Sequence, residues 1–232
     1  MTEDHSSCIR VSDTVICKHC YSKNIIKNGT TKTRKQQYIC KNRNKRFIEF
    51  YSYQAYHKNI NSQIIQFTKE GLEIRSSARI LKISTTTLLK RIKKIAENIS
   101  QPKVCNHQSY ELDEMRFFIK KKSNPQWLVY AIDKKCKKVV SFCIGKRTNT
   151  TLHLVIKTII NSNPEKIYTD KLRNYQYLIP REIHQTKRFG TNSIERKNLS
   201  IRTHVKRLNR KTICFSKSVS VLISILKIYF WS

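Results

Sequence analysis

Acidic residues are scarce. Only 15 Asp and Glu stand against 47 Lys and Arg in 232 residues, a formal net charge of +32. That excess goes beyond what solubility needs and requires a polyanionic partner, most simply nucleic acid. The basic residues run along the whole chain, which excludes a basic tail on an otherwise neutral protein. Long apolar runs are lacking too. The longest, Val219 to Trp231, is broken by Ser220, Ser224 and Lys227 and is too short to cross a bilayer, so no membrane role is expected. The polar start, Met1-Thr2-Glu3-Asp4-His5, has no export-signal pattern. A cytoplasmic location follows, and in that reducing compartment the eight Cys are expected as thiols or metal ligands rather than disulfides. There is no internal repeat, and the aromatic stacking motifs of an RNA reader are missing.

Residues 1–55 carry Cys17-Lys18-His19-Cys20, then Asn28-Gly29 as a turn, then Gln37-Tyr38-Ile39-Cys40. Two Cys knuckles joined by a short basic hairpin make a zinc-ribbon-like module, because tetrahedral thiolate ligation closes a unit too small for its own core. The second knuckle reads Cys40-Lys41-Asn42-Arg43, and Arg cannot ligate. Cys17, Cys20 and Cys40 therefore offer three thiolates for Zn²⁺, with Cys8, His19 or water as candidates for a fourth ligand. The alternative is a metal-free basic hairpin held by Tyr38 and Phe47.

Residues 56–104 read as a helical module. Ile60, Ile64 and Phe67 space one helix that stops at Glu70-Gly71; Ile74, Ala78 and Leu81 space a second. Lys82-Ile83-Ser84 is a tight turn with Ser84 as N-cap, and Leu88, Leu89, Ile92 and Ile95 space a third helix. Its other face presents Thr86, Lys90, Lys93 and Lys94. This resembles a helix-turn-helix, which lays its last helix in the major groove of double-stranded DNA. Ser100 to His107, with Gln101-Pro102, is a candidate linker.

From Tyr110 the pattern changes to strands. Strands are expected over Tyr110–Lys120, Trp127–Asp133, Val139–Ile144 and Lys166–Asp170, with a helix over Thr150–Ile160 between the last two. A short helix near Leu172–Tyr177, a breaker at Pro180, a basic loop holding His184, Lys187 and Arg188, and a helix over Asn192–Leu208 follow. Three meandering strands, a helix, a strand and further helices is the order of an α/β ribonuclease-H-like fold, a mixed sheet with flanking helices. Asp113 lies on the first strand, Asp170 ends the fourth, and Glu195 sits on the late helix with Arg202 on the same face almost two turns on. Two strand-borne Asp and a helix-borne Glu can meet at a strand end and hold a divalent cation. Hard Mg²⁺ or Mn²⁺ suits such oxygen ligands and phosphodiester chemistry.

Ile194-Glu195-Arg196-Lys197-Asn198, Arg202, Arg207-Leu208-Asn209-Arg210-Lys211-Thr212 and Phe215-Ser216-Lys217-Ser218 together resemble the insertion-sequence-one family of bacterial DDE transposases. Trp127 to Asp133, Gly145 to Thr148, and Tyr168-Thr169-Asp170 fit the same pattern, and 24 residues separate Asp170 from Glu195 (positions 171–194). The resemblance implies metal-binding catalytic roles for Asp113, Asp170 and Glu195 and a supporting Arg202 near the DNA backbone. It implies cleavage and strand transfer at the ends of an insertion sequence, target DNA as a second partner, at least a homodimer when two ends are synapsed, and a nucleoid-associated bacterial protein. The chain departs from the pattern at Arg43, at Lys171 after the second Asp, and in an apolar tail beyond Ser218. A catalytically decayed transposase that represses by occupying element ends is the alternative. Its expected division is 1–55 zinc-ribbon-like, 56–104 helix-turn-helix and 105–232 catalytic.

Overall fold

The computed structural model describes residues 15–49, 53–187, 190–209 and 216–232. Cys8, Arg188, Arg210, Lys211, Thr212 and Phe215, singled out above, lie outside them. The chain forms two compact units, one ending at Tyr56 and the other beginning at His57.

The first unit is a three-stranded antiparallel sheet of β1 (Ile25–Thr30), β2 (Gln36–Cys40) and β3 (Lys45–Ile48) in the order β1-β2-β3. Its small core is Cys17, Cys40 and Phe47, flanked by Val15, Ile25 and Tyr38, with the Tyr38 and Phe47 rings stacked at 5.6 Å. The turn expected at Asn28-Gly29 is not there. β1 runs through it, with Gly29 at φ +67 where the ladder is irregular, and the chain reverses at residues 31–35, where the Thr31 amide donates to the Lys35 carbonyl. Arg34 takes the left-handed conformation that this turn demands.

The second unit opens with α1 (Ile60–Lys69), α2 (Ile74–Ile80) and α3 (Thr85–Glu97), as the apolar spacing predicts. Ser84 caps α3 by accepting the Thr87 amide at 3.1 Å. The turn before it bends through Lys82 at φ 51. Residues 100–107 are not a free linker. The Gln101 side chain donates to the Val140 carbonyl at 3.0 Å and Val104 packs into the core, because the segment lies along the sheet.

The main sheet comprises β4 (Ser109–Phe118), β5 (Pro125–Asp133), β6 (Val139–Gly145), β7 (Lys166–Tyr168) and β8 (His184–Gln185). The order is β6-β5-β4-β7-β8: β4, β5 and β6 form the antiparallel meander, while β7 and β8 run parallel to β4. This mixed sheet with helices fits the ribonuclease-H-like arrangement. α4 (Asn149–Ile160) and α5 (Arg173–Leu178) cover one face through Leu152, Val155, Ile156, Ile159 and Tyr175 against Tyr110, Leu112, Val129 and Ala131. α6 (Asn192–His204) lies on the other face.

Three boundaries differ from those expected. β7 ends at Tyr168, so Asp170 stands just beyond the strand. Residues 184–185, read as loop, form the two-residue edge strand β8, too short to show a period. α6 stops at His204 rather than Leu208: Val205 leaves helical geometry, and a 3-10 turn over Lys206–Leu208 delivers Leu208 to a fully buried position.

The apolar tail forms α7 (Val219–Trp231), which packs against α1 and α3 on one side and β6 on the other. Leu222, Leu226 and Ile228 are fully buried, Phe230 stacks on Tyr130, and the Trp231 indole donates to the Val139 carbonyl at 2.8 Å. Burial on two sides explains why this helix keeps only a narrow polar stripe, Ser220, Ser224 and Lys227.

Candidate active site at the open edge of the sheet

β7 is three residues long and pairs with β4 only from Ser109 to Glu111. Just beyond Glu111, β7 no longer pairs with that edge of β4. Asp113 and Glu114 are adjacent on the strand and point to opposite faces. Because the edge is open, both still reach Asp170: one carboxylate oxygen from each of Asp113, Glu114 and Asp170 lies within 4.8 Å of the other two. This cluster brings together two of the sequence-predicted residues and adds Glu114, which the spacing had not marked as part of the site.

Each carboxylate is held. Asp113 accepts the Glu114 amide at Oδ1 (2.7 Å) and the Asn198 side-chain amide at Oδ2 (2.6 Å). Asp170 Oδ1 accepts the Leu172 amide at 3.0 Å. Glu114 accepts the Tyr175 hydroxyl at 2.9 Å and pairs with Arg147 at 3.4 Å. Burial pushes the Asp113 carboxyl up, the amides of Glu114 and Asn198 oppose this, and the charges of Asp170 and Glu195 add to it. Burial likewise raises Glu114, against the Tyr175 hydroxyl and Arg147, with Asp170 and Asp113 raising it further. Crowded carboxylates of this kind are relieved by a cation, and their hard oxygens suit Mg²⁺ or Mn²⁺.

Glu195 is outside that tight group. It is exposed in the first turn of α6 and accepts the Thr191 hydroxyl at 3.1 Å, yet its charge acts on Asp113. Arg202 is half-buried further along α6, and its charge is felt at the Tyr130 hydroxyl. His184, on β8, shares a 2.7 Å hydrogen bond with the Thr169 hydroxyl, and Thr169 directly precedes Asp170. Burial lowers its pKa. It supports the strand end rather than joining the carboxylates.

In the first unit, sulfur atoms of Cys17, Cys20 and Cys40 lie within 4.8 Å of one another, with Cys20 and Cys40 3.5 Å apart. The His19 backbone amide draws the Cys17 thiol down to about 7 against burial, so it is substantially thiolate at neutral pH. Three converging sulfurs could hold a thiophilic ion such as Zn²⁺. Arg43 is exposed and His19 does not join the group.

On α3, Thr86, Lys90, Lys93 and Lys94 are all exposed, while Leu88, Ile92 and Ile95 face inward. Lys93 borders a shallow cleft against Ser220, Ile223, Ser224 and Lys227 of α7, so Thr86, Lys90 and Lys94 form the more open part of the face.

A family model described as IS1 transposase matches residues 104–230. The chain is 38% identical over 111 residues to the insertion element iso-IS1n protein InsB of Shigella dysenteriae, covering 48% of this chain and 85% of that protein. It is 36% identical over 109 residues to the insertion element IS1 2 protein InsB of Escherichia coli (strain K12), covering 47% of this chain and 65% of that one. Among solved structures, the chain is similar to the HTLV-2 integrase catalytic core domain in complex with magnesium. That match has 14% identity and a TM-score of 0.36, covering 55% of this chain and 86% of that one. A simian T-cell lymphotropic virus intasome chain matches with 17% identity and a TM-score of 0.38, covering 71% of this chain and 66% of that one.

Proposed function

The chain belongs to the IS1 transposase family, and from that premise we propose that it binds the ends of an insertion sequence and cuts and joins DNA strands at Asp113, Asp170 and Glu195. The division of labour is a cysteine module over 1–55, a DNA-reading module over 56–104 and a catalytic domain over 105–232. The observation that carries the reading is the meeting of Asp113 and Asp170 at the open strand edge, close enough to Glu195 for its charge to act on Asp113.

The donors fit a hard divalent cation, with Asp113, Asp170 and Glu195 as the residues that would hold it. Bound there, Mg²⁺ or Mn²⁺ supplies Lewis acidity, favouring the deprotonated water or 3′-hydroxyl and offsetting charge on the leaving oxygen. The protein's own contribution is orientation. Asn198 fixes the Asp113 carboxylate, Tyr175 and Arg147 hold Glu114, and Arg202 steadies the DNA phosphate. Double-stranded element ends and target DNA are the partners, and two ends must be held together, so at least a dimer acts.

The test is a reaction of the purified full chain with labelled element ends in Mg²⁺ or Mn²⁺. Cleaved and joined products are expected. Binding without cutting in either metal would leave the repressor role instead.

Neutralising Lys90, Lys93 and Lys94 together should weaken end binding. It should also flatten its salt dependence by about 0.9 in log–log slope for each phosphate that no longer meets a lysine. An unchanged slope in a salt titration would remove α3 as the DNA-facing helix.

Zinc in the first unit should be substoichiometric or easily chelated, because among the described residues three thiolates leave a tetrahedral site one protein ligand short. Retention should fall further as pH drops below the Cys17 value of about 7, since protons compete for the thiolate. Arg43→Cys should raise it, as read by metal analysis after chelator treatment. Full, chelator-resistant zinc in the parent would show that another residue completes the site.

A further inference from the structure

We propose that Glu111 is a positioning residue for the reaction: by accepting the Ile194 amide it fixes the first turn of α6, and so the place from which Glu195 reaches Asp113 and Asp170. The proposal rests on the reading of those three as the reactive carboxylates.

Glu111 is 1% exposed, an unusual place for a carboxyl that does no work at the surface. Its Oε2 accepts the Ile194 amide at 2.8 Å. The first amides of a helix have no acceptor within the helix, and a side chain at the N-cap ordinarily supplies one. Here the N-cap residue Thr191 makes no side-chain capping bond, and its hydroxyl is given to Glu195 Oε1. The cap comes instead from the sheet.

A second fastening lies one turn further on. The Tyr130 hydroxyl is 2.7 Å from Asn198 Oδ1 and 3.2 Å from the Ile194 carbonyl, and Asn198 Nδ2 donates to Asp113 Oδ2. Glu111 and Asp113 lie two residues apart on one face of β4, and Tyr130 is the cross-strand partner of Asp113. One face of the sheet therefore grips α6 at Ile194 and at Asn198, and Glu195 sits between the two grips. Glu195 is exposed and, among the described residues, bonded locally to Thr191, so its reach is set by how the backbone beneath it is held. Replacing Glu111 with an apolar residue would leave the buried Ile194 amide without its acceptor and the first turn free to tilt.

The experiment compares full-chain E111A, E111Q and Tyr130→Phe with the parent. It measures cleavage of labelled element ends, end binding by gel shift, Mn²⁺ affinity by the paramagnetic resonance of the free ion, and thermal unfolding. E111A should bind ends like the parent but cut about 100-fold more slowly, the scale of a small misplacement of a reacting group. Its Mn²⁺ affinity should fall about tenfold, as for other residues that orient metal ligands. E111Q keeps a carbonyl oxygen that can accept the same amide, and should recover most of both losses.

Parent-like cutting by E111A overturns the proposal, and so does an E111Q as damaged as E111A. If the parent itself cuts with neither metal, the transposase reading fails and the Mn²⁺ titration decides. Weaker binding in E111A restored in E111Q supports positioning, and equal binding overturns it. If E111A does not fold, Tyr130→Phe tests the same frame from its other fastening. Slower cutting with end binding retained supports the proposal, and unchanged cutting overturns it.

Discussion

Glu195→Gln is expected to bind element ends as tightly as the parent and to leave them uncut. The substitution keeps the shape of the side chain and removes its charge. On the proposed division of labour, DNA binding falls to the exposed Lys-bearing face of α3, which Glu195 does not belong to. Cutting, on the proposed mechanism, needs the carboxylates as one unit. Asp113 and Asp170 already lie together, and Glu195 acts on Asp113 electrostatically. Residues that act as a unit are non-additive: removing any one costs about as much as removing all. Asp113→Asn and Asp170→Asn should therefore match Glu195→Gln, each reducing strand cleavage below detection in Mg²⁺, and the triple variant should be no worse. Arg202→Ala should be milder, because the role proposed for it is to hold phosphate and not metal. Parallel gel-shift and cleavage assays on the same preparations read all of this. Parent-like cutting by Glu195→Gln would break the site assignment.

The largest effect on folding is expected in α7. Leu222 and Leu226 are both fully buried, one turn apart, in a helix that packs on α1, α3 and β6. A buried Leu→Ala change costs about 2–5 kcal/mol, from forfeited transfer energy plus the cavity left behind. Because the two positions share neighbours, their sum is an upper bound. Even so, the pair approaches the total stability of an ordinary domain, about 5–15 kcal/mol. Leu222→Ala/Leu226→Ala should therefore lose cooperative unfolding at 25 °C, or show a midpoint far below the parent in a urea titration. An unchanged midpoint would mean that α7 is an appendage rather than part of the core.

How much of this could be read from the residues varies with the element. The helices α1 to α3 announce themselves by apolar spacing, and Ser84 by its place before a helix. The strand order follows from a meander, a crossover helix and a further strand. Glu114 was illegible for a definite reason. Neighbours on a strand face opposite ways, so a residue beside Asp113 is assigned to the other side, and only the shortness of β7 lets both carboxylates arrive at Asp170. Tyr130 and Asn198 were hidden differently. A buried Tyr in an apolar strand reads as core, and nothing in a linear sequence shows that its hydroxyl meets a residue 68 positions later. α7 misled because a helix with so narrow a polar stripe looks anomalous until both of its packing partners are known.

α6 also has a far end. Gly71, in the bend between α1 and α2, sits so close to His204 that an added Cβ would come within 2.4 Å of the His204 carbonyl oxygen. The 13 residues of α6 thus run as a strut of roughly 20 Å, seated against the carboxylate-bearing strand at one end and butted against the bend at the other. A helix shortens very little under load, because its hydrogen bonds lie along its axis. A methyl group at position 71 would therefore press directly on the C-terminal end of α6 at His204. In mechanical terms, the missing side chain of Gly71 is the clearance on which the far end of α6 is seated.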